Sequence, residues 1–162
     1  MKKRAFTIIC LLFFSNAFLS SSLLSFKTYV PPERKKIKEN VYEYIESPLY
    51  EGEEAGAFNP ELGTPEAAVA KFMSSKARGD EAWKEALIPE YEWFERLRWK
   101  LETWAEWKVL KWQLREIQFN SQRSVYLTVF MEIEYKGETD SGEDEFELTL
   151  KNGKWLILTP PT

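Results

Sequence analysis

The stretch VYLTVFMEIEY, residues 125–135, limits this chain more than any other. Val125, Leu127, Val129, Met131, Ile133 and Tyr135 point one way, while Tyr126, Thr128, Phe130, Glu132 and Glu134 point the other. That is the two-residue period of a strand with one buried face. Such a strand needs partners, and the neighbouring sequence supplies them. Phe146, Leu148 and Leu150 line a further strand, and KWLILT, 154–159, is another. Asn152 and Gly153 between them form a two-residue turn that pairs Leu150 with Trp155 and Leu148 with Ile157, so both apolar rows share a face. Upstream, Trp112 and Leu114 alternate in one phase and Ile117 and Phe119 in the other, so a bulge near Arg115 and Glu116 is expected to bend that strand. The expectation is a curved, four-stranded antiparallel sheet. The acidic run KGETDSGEDE, 136–145, is expected as a solvated turn: it lacks the ordered ligand spacing of a calcium loop.

Three helices are expected before the sheet. Thr64 suits the N-cap, Pro65 the first helical position and Gly79 the left-handed stop. Val69, Phe72, Met73 and Ala77 form the apolar stripe, with Lys71, Ser74, Ser75 and Lys76 on the other side. Asp80 then caps a second helix from Glu81 to about Ile88, which accounts for its carboxylate without catalysis. Residues 89–108 make a third helix with Phe94, Leu97, Leu101 and Trp104 as its stripe. Trp99 sits about 200° round from Leu97 at 100° per residue, so it belongs to a different surface.

The N-terminus reads differently. Lys2, Lys3 and Arg4 precede an uncharged, mostly apolar run through residue 26. Residues 1–26 therefore read as a secretory signal peptide or as an anchor spanning the membrane over 5–26, and both readings stay open. Either one sends the rest of the chain out of the cytoplasm, periplasmic or secreted. Residues 27–63 hold four prolines and dense charge with no sustained period, which is the pattern of an extended tether. The folded domain is expected at 64–162.

Composition removes much chemistry. There is no histidine, and the one cysteine, Cys10, lies in the N-terminal apolar run. Imidazole or thiolate metal sites and Ser-His or Cys-His nucleophiles are thereby excluded, and no metal or cofactor is expected. The 22 basic residues face 26 acidic ones, with no basic excess for nucleic acid.

TPEAAVAKFMSSKARGD as opening helix, EAWKEALIPE as second helix and NGKWLIL closing the sheet resemble the nuclear transport factor two-like superfamily of cystatin-like α+β cones. The likeness is to its small exported bacterial members and covers residues 64–159. It implies a wedge between the sheet and the long helix. Isomerases and cyclases of that fold need an acid or base inside the wedge, and no inward strand position is expected to carry a carboxylate here, leaving only Glu95, Glu102 or Glu106 of the third helix. The expected function is a noncatalytic, extracytoplasmic binding or interaction domain, with no catalytic residues. The alternatives are a carrier or sensor of a small apolar ligand, an accessory part of an envelope or secretion assembly, and an isomerase- or cyclase-like enzyme. Trp99, Trp104, Trp112, Met131 and Trp155 are the candidate binding residues, for a protein partner or a small apolar ligand. The sheet would also allow a homodimer.

Overall fold

Alternating residues between tight turns yield strands, and the structure contains more of them than the pattern announces. The computed structural model describes residues 25–89 and 95–159, the side chains of 95–100 excepted. Among the described residues there are two α-helices, α1 (Pro65–Arg78) and α2 (Glu95–Glu106), and seven strands. These are β1 (Arg34–Lys38), β2 (Val41–Tyr44), β3 (Tyr50–Glu51), β4 (Lys108–Ser121), β5 (Ser124–Tyr135), β6 (Glu138–Lys151) and β7 (Lys154–Thr159). All join one antiparallel sheet in the order β1-β2-β4-β5-β6-β7, and β3 pairs β4 further along the edge that β2 also uses.

Two expectations are corrected by this architecture. The fold is not three helices on a four-stranded sheet, and the chain is not the nuclear transport factor two-like, cystatin-like cone that its sequence resembles. The second helix is a 3-10 turn, Ala82–Ala86. Residues 27–63, read as a tether, supply three strands and a further 3-10 turn, Glu54–Gly56, to the same body. The resemblance rested on a capped helix and an Asn-Gly turn, local devices that many folds share. Among the described residues no helix is long and apolar enough to cross a membrane. The segment 5–26, read as leader or anchor, lies outside them except for its last two residues.

Local expectations survive within the altered frame. Thr64 accepts the Ala67 N–H at 3.2 Å, Pro65 opens α1, and Gly79 ends it at φ 78°. The β4–β5 register shifts between Leu114 and Glu116, so Trp112, Leu114 and Ile117 are all buried on one face. Asn152 (φ 52°) and Gly153 (φ 76°) make the β6–β7 turn, with Leu150 opposite Trp155 and Leu148 opposite Ile157.

What the N-terminal segment changes most is α1. Its expected solvent side is buried: Lys71, Ser74, Ser75 and Lys76 all lie in the interior, and so does Glu66 in its first turn. Buried polar groups must be met, and most are. Tyr44 donates to Glu66 Oε1 at 2.9 Å, and Arg34 approaches the same oxygen at 3.4 Å. Lys71 pairs with Glu85 at 2.6 Å, and Ser75 accepts the Trp83 N–H at 2.8 Å. Asp80 takes hydrogen bonds from Arg78, Ser75 and the Ala82 N–H. Burial alone would raise its pKa, but the Arg78 and Ser75 bonds hold its carboxyl below the usual range. Asp80 is a cap and an anchor for Arg78.

Candidate functional site

The wedge between helix and sheet is filled at one end and open at the other. At the filled end the Trp112 ring packs against Tyr50, tilted by 35° at 4.3 Å between centroids, and lies near Phe58 (6.3 Å) and Tyr29 (6.5 Å). Its indole N–H donates to the Ala55 carbonyl at 3.0 Å. All four of those partners come from the stretch read as a tether. Burial drives the Tyr29 phenol upward, with Tyr50 and Glu66 adding to it, and does the same at Tyr44, where Glu66 reinforces it.

At the open end a recess of about 470 Å³ lies between α2 and the far half of the β5–β6 hairpin. Its size is within the range of small-ligand pockets. Met131, Ile133 and Tyr135 line one wall, and Thr103 and Trp107 the helix side. The remaining wall is β6. A two-residue turn, Lys136 (φ 52°) and Gly137 (φ 82°), carries the hairpin round without a loop, pairing Tyr135 with Glu138, Ile133 with Asp140, Met131 with Gly142 and Val129 with Asp144. Directly paired residues share a face, so Glu138, Asp140 and Asp144 stand on the side of the apolar row. The expectation that no inward strand position carries a carboxylate is corrected here, and the run 136–145, expected as a solvated turn, is largely exposed but turns only at Lys136-Gly137 and is a strand from Glu138. Gly142 leaves its place empty, with no atom within 4 Å of where a Cβ would sit. Lys136 reaches Glu106 at 3.8 Å and lies 4.9 Å over the Tyr135 ring, joining the hairpin tip to the end of α2.

The five residues expected to bind are placed differently from one another. Met131, nearly buried, forms the deep end of the recess. Trp112 and Trp104 are core side chains, 0% and 2% exposed. The Trp104 carbonyl accepts from the buried Lys76 ammonium, which also reaches the Ala105 carbonyl at 3.4 Å and so caps α2 from below. Trp155 is buried on β7, where its N–H donates to the Leu62 carbonyl at 2.8 Å. The side chain of Trp99 lies outside the described residues. The structure therefore brings Met131 together with Trp107, Tyr135 and the β6 carboxylates, none of which was among the candidate binding residues. A signal existed: counting back by twos from Phe146 reaches 144, 142, 140 and 138, and Lys136-Gly137 can serve as the two-residue turn. The described residues contain no group of side chains arranged to hold a metal ion.

No protein-family model matches the sequence, and no curated protein matches it. Among solved structures, the chain is similar to the solution structure of a SEC-C motif containing protein from Rhodopseudomonas palustris. The identity is 16% and the TM-score 0.47, over 62% of this chain and 79% of that one.

Proposed function

We propose that this chain is a noncatalytic binding domain that works outside the cytoplasm. Its ligand, in this reading, is a group with an apolar body and a positively charged end, taken into the recess between Trp107 and the β5–β6 hairpin. One observation carries it: the recess has an apolar and aromatic interior beside a carboxylate wall. An ammonium or guanidinium end would meet Glu138, Asp140 and Asp144 while its stem covers Met131 and Ile133, and an aromatic ring adds attraction for a cation. A purely apolar ligand would leave those carboxylates partly desolvated without compensation, so the positive end distinguishes this reading from a carrier of neutral ligands. The isomerase and cyclase reading loses the family likeness that motivated it.

Calorimetric titration of the full chain with hexylamine and, separately, hexanoate tests the ligand class. Binding of the amine alone, weakened by Asp140→Asn and by Trp107→Ala, supports the proposal. No heat with the amine, or equal binding of hexanoate, contradicts it. The compartment rests on residues 1–26 as a leader or anchor. Fusion of alkaline phosphatase after Thr162 tests it, because that enzyme is active only after export.

A further inference from the structure

Among the described residues β3 and β7 are edge strands, and two further stretches without a neighbouring strand are densely charged. At one side, β1 pairs only with β2, and all five of its residues are exposed. At the other, β7 covers only Glu147–Lys151 of β6, which leaves 138–146 unpaired along that edge. Open edges present free backbone donors and acceptors to any strand that fits.

The two edges carry opposite charge. β1 reads RKKIK, and the open part of β6 reads ETDSGEDEF. Alternation puts Arg34 and Lys36 on one face of β1 and Lys35 on the other. In the same way Glu138, Asp140 and Asp144 stand on one face of β6, with Glu143 and Glu145 on the other. Cations on both faces can thus meet carboxylates on both faces. Like charges directly opposite destabilise a strand pair, so pairings of β1 with β1 and of β6 with β6 are disfavoured while β1 with β6 is favoured. Arg34 is already committed to Glu66 and to the rings of Tyr42 and Phe119. That leaves Lys35, Lys36 and Lys38 to meet the partner edge, where Glu143 is already paired with Arg115 at 3.2 Å. Carboxylates crowd the acidic edge: partial burial raises the Glu145 pKa, and Asp144, Glu147 and Glu116 raise it further.

We infer that copies of this chain associate head to tail, with β1 of one copy adding as a strand along residues 138–146 of the next. Each copy offers one edge of each kind, so the contact is heterologous and extends to a short filament or closes into a ring. The inference rests on the sheet edges; it shares Glu138, Asp140 and Asp144 with the recess wall, so association and binding of a cation there would compete.

Sedimentation velocity of the full chain tests it in low salt, about 0.02 M, and high salt, about 0.5 M, where exposed charges are screened beyond a few Å. The expected result is a mass that rises with concentration in low salt and falls to that of one chain in high salt. Lys35→Glu with Lys36→Glu should be monomeric in low salt, and so should Glu143→Lys with Glu145→Lys. Mixing the two variants should restore the heavy species, because each then supplies the edge that the other needs. The restoration also shows that both variants are folded. A wild-type chain that stays monomeric in low salt overturns the inference, including one that instead captures an added Lys-rich peptide. Association that the reversals leave unchanged, or a mixture that fails to restore it, overturns it too.

Discussion

Lys76 is the residue at which burial and charge conflict most directly. It lies in the interior with its ammonium turned to the last carbonyls of α2, and burial pushes its pKa from the ordinary 10.5 down to about 8. Below pH 8 both folded and unfolded chains hold the proton, and the buried charge is a constant cost. Between 8 and 10.5 the unfolded chain holds protons that the folded one has released, so this lysine makes stability rise with pH. Tyr29 and Tyr44 act in the opposite sense above pH 10, since the fold keeps their phenols protonated after unfolded tyrosine would lose them. The window from pH 8 to 10 is therefore where Lys76 can be read. Thermal melts across it should show a steeper rise for wild type than for Lys76→Met; parallel profiles would remove the buried ammonium from the account. Trp112 gives a second test at this scale. It fills the closed end of the wedge and bonds Ala55, so Trp112→Ala should lower unfolding free energy by roughly 3–5 kcal/mol in urea titrations.

Among the elements, those written in local chemistry were legible and those made by pairing were not. The cap at Thr64, the stop at Gly79, the bulge at Arg115 and the Asn152-Gly153 turn each depend on a few adjacent residues, and each is found where the sequence puts it. β1 shows no alternation because it is an exposed edge held only by β2, so RKKIK reads as solvated charge. β2 buries only Val41 and Tyr44, too few for a period. The outer half of β6 extends past the core, and its acidic residues concealed a strand that its turn and its partner β5 define. The recess was missed for the same reason, since one wall is that half-strand. Glycine substitutions separate the two kinds of position. Gly153 sits at φ 76° with open space around it, so Gly153→Ala should cost roughly 1–2 kcal/mol through backbone strain. Gly142 is extended in β6 with equal space, and Gly142→Ala should stay within about 0.5 kcal/mol. Paired denaturant melts decide it; equal losses at both positions would contradict the backbone argument.

For the whole molecule, the N-terminal segment sets which part of the inner sheet face is covered. By placing Tyr29, Tyr50 and Phe58 against Trp112 it closes the deep part of the wedge and leaves the opening at Trp107 and the hairpin. The tryptophans at 104, 112 and 155 are then buried in the core, and in the proposed reading recognition belongs to a rim that combines Tyr135 with carboxylates. The most direct measurement is an amide and indole chemical-shift map of the full chain titrated with hexyltrimethylammonium. The account predicts shifts at the Trp107 indole and at amides of 131–135 and 138–144, with the indoles of Trp112 and Trp155 unmoved. Shifts centred on Trp112 and Trp155, or none at saturating probe, would contradict it.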